Sequence, residues 1–353
     1  MSLKLKSKVR PIPLELETYY GYDDIIIKPR YSIIKSRSDV DLDTKIGKLT
    51  LGGPIISANM DRVTSYAMCN AMEAQEGLGI LHRFWSIEDN IEACNKIDGR
   101  LRAVSVGIGE EGLKRAKALY REAGATIFCL DVAHGSQLTV AKQLIALKEM
   151  LKDDSIYTIV GNFATYQSIV DFLGRIPQEH SPDCFKVGIS NGAACTTRVK
   201  TGVGIPQFSS VYECAQTGYP IIADGGIKNP GDAAKALAAG ASAVMVGRLF
   251  AGTDESPGEI RTESNGAKFK IYRGLASKEV STDNGRDAAW RTSEGVSYKV
   301  PYVGSVENIV NDLECGIRSS MSYVGAKDLK EFRSKIIFGL QTENGYKEGQ
   351  ARG

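Results

Sequence analysis

The sequence has no Cys-x-x-Cys pair, no long apolar run, only three histidines and almost no net charge. Each shortage removes a class of protein. Seven cysteines are an odd number scattered through apolar runs, so neither a disulfide framework nor a zinc site is read from them; the usage fits a reducing, cytosolic setting. No run approaches the ~20 apolar residues a membrane-spanning helix needs. The first ten residues are basic but lack an apolar core behind them, which excludes a secretory signal. A formal charge of +2 gives no reason to expect nucleic acid as a partner.

What the chain does have is a repeated unit. Short runs rich in Ile and Val recur at 55–59, 79–82, 103–108, 126–132, 157–163, 184–189, 220–226 and 243–249. Their hydrophobicity is continuous, as in strands covered on both faces of a parallel sheet. Helical patterns lie between them. In 137–152, Leu138, Ala141, Leu144, Ile145 and Leu151 form one stripe, and Asn229-Pro230 reads as an N-cap with proline at the first helical position of a helix that stops at Gly240. Eight such units suggest an α/β fold, a (β/α)8 TIM barrel forming a single domain over 1–340. An open doubly wound sheet is the alternative. Residues 254–268 read as polar loop, about 277–298 as a mobile flap or a disordered stretch, 306–317 as helix, and 341–353 as a polar, disordered tail.

In either architecture the chemistry belongs at the C-terminal ends of the strands. The run 184–189 contains one polar residue, Lys186, and breaks into Ser190-Asn-Gly-Ala-Ala194, which delivers Cys195 with Thr196 and Thr197 beside it. Small residues let the backbone approach a ligand, and a cysteine so placed is a candidate nucleophile or simply another buried small hydrophobe. Asp224-Gly225-Gly226 and Gly247-Arg248 end the seventh and eighth runs, where barrels often bind phosphate; Asp224 then suits a ribose diol, or else caps a turn. Asp131 suits a carboxamide or is a buried charge satisfied locally. His82 and His134 carry no catalytic role in this reading.

These residues resemble the IMP dehydrogenase/GMP reductase family over nearly the full length. The similarity to the reductase branch rests on Cys195-Thr-Thr-Arg198 followed by Lys200-Thr-Gly-Val-Gly-Ile-Pro-Gln207, on Tyr22-Asp-Asp24, on Lys35-Ser-Arg-Ser-Asp-Val-Asp-Leu42, on Ala58-Asn-Met-Asp61 and on Leu130-Asp-Val-Ala133. Strand spacing leaves no room for the regulatory insertion usual in the dehydrogenases, and Arg291-Thr-Ser-Glu-Gly295 is similar to the short reductase flap. The resemblance implies NADPH-dependent reductive deamination of GMP, with Cys195 attacking purine C2 and Thr197 and Glu294 handling the proton on the leaving ammonia. It implies substrate contacts at Met60, Gly192, Asp224, Gly225, Gly226, Gly247, Arg248, Leu275, Ala276, Arg291, Ser293 and Gly295. Cofactor contacts fall to Arg83, Ser105, Asp131, Ala133 and Ser277, with NADH as a second possibility. A monovalent cation, K+, has a candidate site on the backbone of Gly188, Ser190, Gly192 and Cys195, and the family is usually a cytoplasmic homotetramer. The chain departs from the pattern at Ser190, Ala193, Arg248, Leu275, Ala276, His134 and Arg83, while Tyr272-Arg-Gly274 is closer to the dehydrogenase form. Oxidation of IMP with NAD and a non-catalytic nucleotide-binding barrel are the competing readings.

Overall fold

The computed structural model describes residues 16–274 and 295–350. Near the start Ile25–Ile27 (β1) forms a short strand, followed by an antiparallel pair, Thr44–Ile46 (β2) and Leu49–Leu51 (β3). The eight apolar runs then become eight parallel strands: Ile55–Ser57 (β4), Leu78–Leu81 (β5), Ala103–Val106 (β6), Ile127–Asp131 (β7), Tyr157–Phe163 (β8), Cys184–Val187 (β9), Ile221–Asp224 (β10) and Ala243–Val246 (β11). They pair in sequence order and β11 returns to β4, so the sheet closes into a barrel. Closure decides against the open sheet. It also explains the continuous hydrophobicity, because side chains pointing inward pack in the barrel and those pointing outward pack under helices.

The covering helices are Tyr66–Ala74 (α1), Ile87–Asn95 (α2), Gly109–Ala123 (α3), Leu138–Leu151 (α4), Tyr166–Leu173 (α5), the short Thr197–Thr201 (α6), Gln207–Ala215 (α7) and Pro230–Ala238 (α8). Asn229 caps α8 as its sequence suggests, its side chain accepting from Asp232 N at 3.0 Å. The apolar face of α4 is rotated from the expected one: Val140, Ala141, Leu144 and Leu147 are buried while Leu138 is 57% exposed at the first turn. The i, i+4, i+7 row from Val140 is the one that meets the sheet.

The β2–β3 pair covers the N-terminal mouth of the barrel. Thr44 donates to the Ser242 carbonyl just before β11, and Tyr157, the first residue of β8, donates its hydroxyl to the Ile46 carbonyl at 2.5 Å. Ligands are therefore left the opposite, C-terminal mouth.

After β11 the stretch expected to be loop contains a strand, Arg261–Thr262 (β12), which pairs with Lys268–Arg273 (β13); Ser297–Pro301 (β14) completes a three-stranded antiparallel sheet. Lys270 anchors that sheet with an ammonium buried on the oxygens of Thr253 and Ser256. The helix expected at 306–317 runs further, from Val306 to Val324 (α9), because Val310, Leu313, Ile317, Met321 and Val324 continue the buried stripe. Leu329–Lys335 (α10) follows. The expectation of a disordered tail from 341 does not hold over 341–350, the part of it that is described. Phe338–Leu340 (β15) pairs with β1, Gln341 donates to the carbonyls of Asp23 and Asp24, and Glu343–Glu348 (α11) is helical with Thr342 as its cap. Pairing with β1, which local composition does not reveal, holds this tail in place.

Candidate active site

At the C-terminal mouth, β9 ends in an unusual backbone path. Gly188 has φ +152°, and a Cβ there would lie 1.9 Å from the Asp224 carbonyl oxygen, so the loop can leave the barrel only with glycine at this point. Ser190 follows at φ +70°, a left-handed conformation for a residue with a side chain. The loop then folds back, Cys195 N donating to Gly192 O at 2.9 Å, and sets Cys195 Sγ 3.2 Å from Thr197 Oγ1. Cys195 is partly exposed, whereas Cys69, Cys94, Cys129, Cys184 and Cys214 are buried. The reading of Cys195 as one more buried hydrophobe therefore fails on geometry.

Other expected residues converge on the same mouth. Gly225 backs onto the loop that carries Cys195, where a Cβ would meet Asn191 C and Gly192 N at 3.1 Å. Gly226 continues this turn at φ +82°. Gly247 faces Met60 and Tyr272, whose hydroxyl stands 3.5 Å from Met60 Sδ, and Arg248 is exposed beside them. Gly295 pairs with Cys195 across an isolated antiparallel bridge.

Joining the two sides of the mouth is a group that sequence reasoning did not assign to the site. Lys186 is only 2% exposed, and its ammonium lies 2.6 Å from Asp224 Oδ2 and 3.1 Å from Asp131 Oδ1, with Asn162 Oδ1 also in contact. Asn162 in turn donates to Asp224 Oδ2 at 2.9 Å and to Gly188 O at 2.7 Å. Burial opposes the charge on Lys186, but Asp224 and then Asp131 outweigh it and hold the ammonium well above the ordinary lysine value. Burial likewise raises Asp131, yet the charges of Lys186 and Arg83 and hydrogen bonds from Lys186 and Asn59 bring it below the usual carboxylate range. The signal was present in the sequence as a single lysine inside an apolar strand, since such a charge must find partners.

The same logic exposes Gln207, whose amide donates to Val187 O at 2.8 Å and Asp224 O at 3.1 Å while its oxygen accepts from Asn191 at 2.6 Å. Arg198 completes the chain by donating to Asn191 Oδ1 at 2.9 Å. Around the residues expected to face a cofactor, Asn59 donates to Ser105 Oγ at 2.7 Å, Ala133 is exposed, and Arg83 Nε is buried without a hydrogen-bond partner among the described residues. His82 is structural: its Nδ1 accepts from Phe84 N, and burial, then Arg115 and Arg273, pull it down to about 3, so it stays neutral. Leu275, Ala276, Ser277, Arg291, Ser293 and Glu294 lie outside the described residues.

A family model described as the IMP dehydrogenase / GMP reductase domain matches residues 19–352. The chain belongs to the IMP dehydrogenase/GMP reductase family. Within that family it is similar to the GMP reductase of Enterobacter sp. (strain 638), 37% identical over 339 residues covering 92% of this chain and 95% of the relative. The GMP reductase of Yersinia enterocolitica serotype O:8 is 36% identical over 332 residues, covering 90% and 93%. Among solved structures, a cysteine-to-alanine variant of GMP reductase from Trypanosoma brucei, in complex with guanosine 5'-monophosphate, superposes with a TM-score of 0.87 at 25% identity, covering 96% of this chain and 98% of that one. No helix among the described residues is long and apolar enough to cross a membrane, and none of their His, Cys, Asp and Glu side chains cluster in the threes that a metal ion would need.

Proposed function

We propose that the protein catalyses reductive deamination of GMP to IMP and ammonia, through a covalent bond between Cys195 and purine C2. The observation carrying this reading is the partly exposed Cys195 Sγ, 3.2 Å from the Thr197 hydroxyl at the open mouth of the barrel. Gly192 and Gly225, whose loops touch, offer backbone N–H groups to a phosphate. Asp224 Oδ2 is occupied by Lys186 and Asn162, leaving Oδ1 for a ribose hydroxyl. Met60 and Gly247 lie along the base, and Arg248 adds a positive charge at the rim where the loop has Ala193 in place of a hydroxyl.

The thiolate adds to C2, the Thr197 hydroxyl being placed to donate to the sulfur before or after addition. The 2-amino group leaves as ammonia only once protonated. We assign that proton to Glu294 and Thr197; general acid help of this kind is typically worth ~10²–10⁴-fold. Gly295, next to Glu294 in the chain, pairs with Cys195, which supports the assignment. Reduction at C2 then breaks the C–S bond and returns the thiolate.

The residues on the other side of the mouth fit a nicotinamide cofactor. Arg83 Nε is buried with no hydrogen-bond partner among the described residues, and Asp131 is a carboxylate held in its charged form, a donor and an acceptor of the kind a carboxamide or phosphate takes up. When bound, the reduced nicotinamide supplies the electron pair and hydrogen that C2 needs. We assign NADPH as the cofactor and Ser105 and Ala133 to its pocket. In the nucleophile loop, Ser190 Oγ and Thr196 Oγ1 are buried without hydrogen-bond partners among the described residues, which supports placing K+ on the Gly188, Ser190, Gly192 and Cys195 backbone. A homotetramer is proposed from the family alone.

The test is a panel of purine nucleotides with NADPH and NADH, read by loss of reduced-nicotinamide absorbance and release of ammonia. GMP with NADPH is expected to turn over, with Cys195→Ala inactive. The Tyr272-Arg273-Gly274 segment motivates the dehydrogenase reading, and turnover only of IMP with NAD would replace ours by it.

A further inference from the structure

Three consecutive residues at the mouth of the β13–β14 hairpin, the end from which the chain runs on past Gly274, reach two different barrel loops. Tyr272 sets its hydroxyl against Met60, Arg273 places Nε 2.7 Å and a terminal nitrogen 2.5 Å from Asp61 Oδ2, and Gly274 packs so tightly on Ala194 that a Cβ would lie 2.7 Å from its carbonyl oxygen. On the opposite strand, Val296 N donates to Ala194 O at 3.0 Å and Gly295 bridges to Cys195. The hairpin mouth thus spans from the loop after β4 to the nucleophile loop.

Among these contacts the Arg273–Asp61 pair is the ionic one, and both side chains are largely buried, 15% and 9% exposed. Arg62 offers Asp61 a single, longer contact of 3.8 Å. His82, one loop along, is kept neutral partly by Arg273 itself and supplies no alternative cation. Removing the guanidinium leaves, among the described residues, the Tyr272 hydroxyl on Met60 Sδ as the polar contact on this side, with a buried carboxylate next to Met60 that keeps only its longer contact to Arg62.

We infer that Arg273 is a positioning residue for the reaction: through Asp61 it fixes the register of the hairpin mouth against the nucleophile loop, so that the leaving amino group is met by its proton. This rests on the reductive deamination reading. Arg273 does not act on the substrate. Its effect is geometric, and displacements of ~1 Å near a reacting centre can cost ~10²-fold.

Two substrates of the same thiolate separate this role from a general loss of structure. With GMP, the C2–N bond breaks only when the amine is protonated. With 2-fluoroinosine 5'-monophosphate, the S–C2 bond forms and the C2–F bond breaks, fluoride carrying off the electron pair and the thiol proton passing to solvent, so no acid is needed at the leaving group. Labelling is read as a mass increase of one nucleotide less HF. For Arg273→Ala, kcat with GMP and NADPH is expected to fall about 30- to 100-fold, while saturating labelling of Cys195 stays within about threefold of wild type. Arg273→Lys, which keeps the charge without the two-nitrogen grip, is expected to lose about fivefold in turnover with labelling unchanged. It serves as the reporter if the alanine variant fails to fold. Turnover and labelling falling together, or turnover unaffected in both variants, overturns the proposal. A wild-type protein that neither turns over GMP nor takes the label overturns the underlying reading, and that result is seen before any variant is made.

Discussion

Replacing Lys186 by methionine tests whether the buried ammonium is what allows two carboxylates to share the barrel mouth. The side chain is of similar length, so packing is nearly conserved and the change is chiefly loss of charge. Asp224 Oδ2 and Asp131 Oδ1, 2.6 and 3.1 Å from the lysine nitrogen, would then face each other's charge without a cation between them. Breaking a buried pair by removing one partner costs about 3–5 kcal/mol. With an unfolding entropy of about 2.1 cal/mol/K per residue, the same loss over a chain of 353 residues lowers Tm by roughly 4–7 °C.

The pH dependence supplies the discriminating sign. In the wild type the Asp131 carboxyl is held below its unfolded value, so its contribution is present above about pH 4 and is lost as pH falls through the lower, folded pKa. In the variant, burial is opposed only by the charge of Arg83 and the Asn59 hydrogen bond, the two lysine contributions being gone, and the folded pKa is expected to rise above the unfolded one. The carboxylate then costs stability at neutral pH, and that cost fades on acidification as the group takes up a proton. Thermal unfolding followed by circular dichroism should show a gap between wild type and Lys186→Met that is widest near pH 7.5 and narrows towards pH 4. A gap under 1 °C at pH 7.5, or one that widens on acidification, would refute the reasoning.

Other expected outcomes are more local. Gly188→Ala forces a Cβ into the Asp224 carbonyl at 1.9 Å and should reduce turnover by at least ~10²-fold, measurable with purified protein at saturating nucleotide. Thr197→Val removes the hydroxyl 3.2 Å from Cys195 Sγ and should lower kcat by about 10- to 100-fold, with a smaller change in KM for GMP. Gln207→Leu leaves Asn191 Nδ2 and the Val187 and Asp224 carbonyls without their partner, and should destabilise the protein by about 1–3 kcal/mol in urea titrations.

The barrel was legible because each strand is a continuous apolar run and each helix has an amphipathic stripe, signals carried by neighbours in sequence. The mouth residues were legible as the polar and glycine positions where those runs end. Cys195, Asp224 and Met60 are found that way, and the resemblance adds their roles. What local patterning cannot show is pairing across the chain. The ordered tail depends on β15 meeting β1, and the join between Asp131 and Asp224 depends on Lys186, which reads as an oddity in its own strand until the barrel closes around it. The buried face of α4 shifted for a related reason, since the sheet rather than the first turn selects which leucines are covered.

The distribution of sulfur has a practical consequence for anyone handling the protein. Burial pushes the thiols of Cys69, Cys129, Cys184 and Cys214 upward and that of Cys94 to about 11, which leaves all five as un-ionised, shielded groups at neutral pH. Only the half-open Cys195 and the solvent-facing Cys315 remain for an alkylating reagent. With Cys315 replaced by serine, uptake of iodoacetamide by the folded chain becomes a stoichiometric count of accessible Cys195 thiols, and on the proposed function protection by nucleotide turns that count into a binding isotherm.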